Sequence, residues 1–107
     1  MYFTYILRCE DNSLYTGIAA DVRRRMSQHF GRTAQCAKYT RSRRPLSLEA
    51  VWESSDRSAA SKLEYRIKQL AKDNKQRLID ENALQLLKET DVSLYRRLSD
   101  EELEELI

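Results

Sequence analysis

Glycine and proline are scarce: the 107-residue chain holds two glycines and one proline. That excludes collagen-like and Pro/Gly-rich low-complexity classes and leaves few places for tight turns. Cysteine is nearly absent too. Cys9 and Cys36 lie far apart, with no CxxC pair and a single histidine in the chain, so neither a zinc ligand set nor a disulfide framework is available and two reduced thiols are expected. No apolar run approaches the roughly 18 residues of a membrane span, and no basic leader precedes an apolar stretch. The expectation is a cytoplasmic protein with neither membrane anchor nor signal peptide. GxGxxG, the phosphate-binding GxxxxGKS/T and any recognisable Ser-His-Asp setting are all missing, which removes the commonest enzyme templates.

What is present describes one water-soluble domain. Hydrophobic residues make up 41% and charged residues 34% of a chain near the commonest single-domain size. The net charge of +2 hides an asymmetry. Residues 21–44 carry eight Arg or Lys against the single acid Asp21, and residues 88–107 carry seven acids against three bases. The first region is basic enough to seek phosphate, and the excess goes beyond what solubility requires. The acidic end reads as a solvated helix.

Aromatic and β-branched residues from Tyr2 to Cys9, apolar on both faces of the alternation, predict a central strand. Glu10, Asp11, Asn12 and Ser13 supply turn chemistry, and the extended pattern resumes from Leu14 to Gly17, so the chain opens with a β-hairpin. Asp21 is an N-cap for a helix over 22–30, where Val22, Met26 and Phe30 form the apolar stripe and Gly31 the stop. Arg25 and His29, four apart, share one flank of that helix and can reach one site. Residues 32–44 read as a basic surface loop ending at Pro45. Leu46, Leu48, Ala50 and Trp52 then mark a half-buried strand. Ser55, Asp56 and Ser58 offer caps for a helix over 57–71, with Leu63, Ile67 and Leu70 inward and Glu64 one position round. Residues 74–81 predict a further short helix, residues 84–88 another, and Ser99 with Glu102 forms a capping box before a last acidic helix. The expected fold class is therefore α+β: a small three-stranded antiparallel sheet in the order ββαβα, flanked by helices and extended by more helices at the C-terminus.

Elimination leaves a Tyr-Arg-His-Glu constellation beside a basic loop, groups that suit phosphodiester cleavage. An arginine can neutralise transition-state charge, a carboxylate can hold hydrated Mg²⁺, and an activated water or tyrosine can attack. Each group also has a plainer reading. Tyr5 and Tyr15 are ordinary strand aromatics, Arg25 belongs to a solvated run of arginines, and a lone histidine is usually packed or on the surface. Glu64 and Lys68 form an ordinary i, i+4 pair.

In this order the residues resemble the GIY-YIG nucleases, and among them the small YhbQ-like branch. Phe3-Thr4-Tyr5 stands where the family has its GIY triplet and Tyr15-Thr16-Gly17 where it has YIG. Asp21-Val22-Arg23-Arg24-Arg25 is similar to the helix opening whose last arginine is catalytic, with His29 one turn on. Ala37-Lys38-Tyr39-Thr40-Arg41 is similar to the AKYTR segment of the branch, and Glu64 falls at the family's metal-binding glutamate. Phe3 departs from the family's glycine, and Ile18 stands where the repair-incision members carry a lysine, a duty that Lys38 could take over.

The resemblance implies a nuclease domain over residues 1–80 with a helical extension over 81–107, and one Mg²⁺ or Mn²⁺ on Glu64. Tyr5 would be the general base, Arg25 would brace the scissile phosphate, and Tyr15 and His29 would orient water and phosphate. Arg24, Lys38, Tyr39, Arg41, Arg43 and Arg44 would hold the nucleic acid, DNA before RNA. The competing expectation is a nucleic-acid-binding module that keeps the fold without turnover. A purely structural protein ranks third.

Overall fold

The computed structural model describes residues 1–31 and 42–106. Strands β1 (Tyr2–Cys9), β2 (Leu14–Ala19), β3 (Pro45–Ser54) and β4 (Arg96–Arg97) form one antiparallel sheet in the order β2-β1-β3-β4. The helices are α1 (Val22–Phe30), α2 (Arg57–Lys68), α3 (Lys72–Glu81) and the short α4 (Asp100–Glu104), with 3₁₀ turns at Leu84–Leu86 and Val92–Leu94. Among the described residues no helix is long and apolar enough to cross a membrane.

Alternation along the central strand β1 builds two cores. Tyr5 and Leu7 point to one face with Ala19, Leu48 and Val51, where Val22 and Met26 of α1 and Leu98 and Leu103 from the C-terminal segment cover them. Ile6 points to the other with Ala50 and Trp52, under Leu63 and Ile67 of α2 and Leu78 of α3. Helices α1 and α2 therefore lie on opposite faces of the sheet.

The caps are those the sequence offers. Asp21 Oδ1 accepts from Arg24 N–H at 3.1 Å, Asp56 Oδ1 from Ala59 N–H at 2.8 Å, and Ser99 and Glu102 close a capping box. At the hairpin turn Asn12 has φ 66°, a left-handed conformation that asparagine tolerates, and Asp11 accepts from Ser13 N–H at 3.0 Å.

Four strands replace the expected three. The extra one, Arg96–Arg97, is two arginines with no alternation to mark it, and it exists because residues 52 and 53 of β3 offer a free edge. β2 runs on past Gly17 because Ile18 and Ala19 still have Thr4 and Phe3 to pair with. Helix α2 stops at Lys68, short of the expected 71, and residues 84–86 form a single 3₁₀ turn.

Arg97 ties the second core together. Its guanidinium lies 5.2 Å from the Trp52 ring centroid and donates to Leu78 O at 3.2 Å and Ile79 O at 2.9 Å, carbonyls near the end of α3. Arg97→Ala strands those carbonyls and removes the cation–π contact, so unfolding free energy is expected to fall by about 2 kcal/mol. A lower urea midpoint at constant m would show this. An unchanged midpoint would mean that solvent replaces the bonds without cost.

Candidate active site

Tyr5 on β1 pairs directly with Gly17 on β2, and both face α1. A Cβ built on Gly17 would stand 2.6 Å from Tyr5 Oη and 2.7 Å from Cζ, so the Tyr5 ring leans across β2 at the one position where the strand presents no side chain. Tyr15, two residues before, flanks the same space with its ring centroid 6.2 Å from that of Tyr5.

Helix α1 supplies the other half. With Val22 and Met26 anchored in the core, one more turn brings His29 inward, fully buried, with Nε2 2.8 Å from Tyr5 Oη. The His29 ring meets Tyr5 and Tyr15 edge-on, at centroid distances of 5.7 and 5.5 Å. Arg25, one turn earlier, is half-buried, with its guanidinium in hydrogen-bonding reach of both tyrosine hydroxyls and Nη1 donating to Gln28 Oε1 at 2.8 Å. Tyr5 and His29 thus form the interior of the cluster, and Tyr15 and Arg25 its solvent face.

Burial sets the protonation states. It pulls His29 down to about 4, with the Arg25 cation adding to the effect, and it pushes Tyr5 above the ordinary phenol value, with Tyr15 adding and Arg25 opposing. At neutral pH a neutral phenol faces a neutral imidazole. The phenol hydroxyl and the imidazole Nε2 share one hydrogen bond, whose direction follows the imidazole tautomer.

Because His29 falls from an ordinary 6.5 to about 4 on folding, the unfolded chain takes up its proton first as pH drops. The stability present above pH 6.5 is therefore lost between there and about 4. The loss is on the order of 3 kcal/mol at about 1.4 kcal/mol per pH unit. Urea titrations of wild type and His29→Gln across that range should show the extra acid sensitivity in the wild type alone; parallel curves would mean that His29 is accessible to protons.

Residues 1–77 match the family model described as the GIY-YIG catalytic domain. The chain belongs to the GIY-YIG family. Relatives include the UPF0213 protein DP2720 of Desulfotalea psychrophila, 47% identical over 78 residues that span 73% of this chain and 70% of that protein. The UPF0213 protein YhbQ of Salmonella arizonae is 46% identical over 80 residues, 75% of this chain and 78% of that one. Among solved structures, the solution NMR structure of the UPF0213 protein BH0048 from Bacillus halodurans has 40% sequence identity and a TM-score of 0.49, covering 75% of this chain and 84% of its own.

In this GIY-YIG domain Tyr5, Tyr15, Arg25 and His29 come together in one cluster. Glu64 stands apart on α2, across the sheet from α1, and Lys68 Nζ lies 3.3 Å from its carboxylate. The flank of α2 holding Arg66 faces the segment over 88–95, where Arg66 donates to Lys88 O and Tyr95 to Ala59 O. At about 100° per residue Glu64 lies on the opposite flank, toward β2. The cluster and Glu64 therefore approach the edge strand β2 from its two sides.

Among the described residues no three His, Cys, Asp or Glu side chains gather into a metal cage. A half-buried single carboxylate still fits Mg²⁺ or Mn²⁺, which keep most of their waters and take further ligands from a substrate phosphate.

Of the expected nucleic-acid contacts, Arg24 and Arg44 are exposed. Arg43 Nε lies 3.0 Å from Asp11 Oδ2. Lys38, Tyr39 and Arg41 lie outside the described residues. Gly17, named in the sequence only as the last residue of the Tyr15-Thr16-Gly17 triplet, makes room for the Tyr5 ring, and Gln28 beside Arg25 had no sequence signal.

Proposed function

We propose that the protein is a divalent-metal-dependent endonuclease that hydrolyses phosphodiester bonds in DNA, in repair or structure-specific cleavage. The observation that carries this reading is the convergence of Tyr5, Tyr15, Arg25 and His29 beside the outer strand β2. Arg25 and Tyr15, the solvent-facing pair, would meet the scissile phosphate. The Arg25 cation would neutralise charge that grows on the phosphoryl oxygens, and Tyr15 would donate to one of them. Tyr5 would take the proton of the attacking water while passing its own to His29 Nε2, so that a buried phenol relays a proton without persisting as phenolate. Glu64 would hold Mg²⁺ or Mn²⁺, which when bound supplies positive charge to the transition state. In-line hydrolysis would leave a 5′-phosphate and a 3′-oxyanion that takes a proton from solvent to become the 3′-hydroxyl.

Supercoiled plasmid and branched DNA, incubated with Mg²⁺ or Mn²⁺, should be cut by the wild type, and about 100-fold more slowly by Tyr5→Phe and Glu64→Ala. Intact substrate with both metals, or variants as fast as wild type, would remove the assignment.

A second reading, a nucleic-acid-binding module without turnover, draws on the complete burial of Tyr5 and His29 and on the Lys68 ammonium against Glu64. It predicts salt-sensitive binding with no cleavage in either metal.

A further inference from the structure

Among the described residues β2 is the outer strand of the sheet, with β1 on one side of it. Each end of β2 opens into a shallow hollow with basic walls. At the C-terminal end, Ile18 and Ala19 meet Asp21, Arg24, Arg25 and Gln28 around about 270 Å³. At the N-terminal end, Leu14 with Asp11 and Ser13 of the hairpin turn meets Lys72 and Lys75 of α3 around about 250 Å³. Arg43, paired with Asp11, brings a third cation to that second hollow.

The acids nearby include Asp21, which caps α1 at the first hollow, Asp11, which is matched by Arg43, and Asp73 in the first turn of α3. Among the described residues neither the Lys72 nor the Lys75 ammonium has an ion-pair partner, whereas Lys68 is held by Glu64 and Arg77 by Glu81. Four residue steps separate Leu14 from Ile18, about 13 Å at the ~3.3 Å rise of a strand.

We propose that the sugar–phosphate backbone of DNA runs along the outer edge of β2, held at one end by Arg24 and Arg25 and at the other by Lys72 and Lys75. This rests on the nuclease reading for the phosphate at Arg25 and adds a second anchor on α3. It also gives the substrate a path past both faces of the sheet: a backbone on the β2 edge passes Arg25 and Tyr15 on one side and the Glu64 flank of α2 on the other.

The test is binding of a fluorescent DNA duplex to the full chain in EDTA, followed by anisotropy over a salt series, so that cleavage plays no part. Lys72→Gln/Lys75→Gln is compared with Lys62→Gln/Lys88→Gln, which removes the same charge from exposed lysines on the Arg66 flank of α2 and beyond it. The first variant is expected to bind about tenfold more weakly at low salt, with a slope of log K against log salt shallower by about 2, while the second stays close to wild type. Equal behaviour of the two variants would overturn the track, since net charge alone would then account for binding. A wild type that fails to bind DNA at low salt would overturn the track together with the nuclease reading. Lysine-dependent binding without cleavage in Mg²⁺ or Mn²⁺ would leave the track standing and remove the nuclease.

Discussion

Arg25→Ala is expected to slow phosphodiester cleavage by about two to three orders of magnitude, the usual cost of losing a preorganised group aimed at transition-state charge. The effect is large because Arg25 is the half-buried cation beside both tyrosines of the cluster. Its N-cap and the core contacts of Val22 and Met26 hold the helix that carries it. Arg25→Lys should recover only part of the rate, because an ammonium keeps the charge but not the planar fork that reaches two hydroxyls and a phosphate at once. A second readout separates this from general damage. Removing the cation lets His29 rise from about 4, although burial, the larger cause, still holds it below its ordinary value of 6.5. An NMR titration of the His29 ring in both proteins would show the rise. Full cleavage by Arg25→Ala, or an unmoved His29, would mean that the guanidinium does not stand where the cluster places it.

The second large effect is expected from Gly17→Ala. The added methyl would lie 2.6 Å from Tyr5 Oη and 2.7 Å from Cζ, inside van der Waals contact. The tyrosine cannot yield cheaply, because its ring is fully buried in the core under α1 and its hydroxyl is bonded to His29. Overpacking of this kind costs about 1–3 kcal/mol. Cleavage should fall about as far as in Tyr5→Phe, since the shifted ring carries the hydroxyl away from Nε2. Combining the two substitutions should be less than additive: the phenylalanine no longer presents the oxygen, but its ring carbon still meets the methyl. Thermal unfolding and cleavage of the single and double variants measure this coupling. A stable, fully active Gly17→Ala would show that Tyr5 does not lie over β2.

The order of elements was legible because short-range patterns carry it. Both faces of β1 are apolar since the strand is flanked on each side, and the helical spacing of Val22 and Met26 marks the face that α1 buries. Asp21, Asp56 and Ser99 mark helix starts because a side-chain oxygen there satisfies an amide that would otherwise be orphaned. The strand Arg96–Arg97 was not legible. Nothing local distinguishes two arginines in a strand from two in a loop, and only the open edge of β3 makes them one.

The same division runs through the candidate site. The family order of Tyr5, Tyr15, Arg25, His29 and Glu64, and the hairpin shared by the first two, could be read from the chain alone. That His29 is buried against Tyr5, that Gly17 makes room for the ring, and that α2, the helix of Glu64, packs on the face opposite α1 are visible only in the folded chain. The physical reason is range: periodicity and caps depend on neighbours within a turn or a pleat. Burial, the proton affinities it shifts and the side from which a helix approaches depend on segments far apart in the chain.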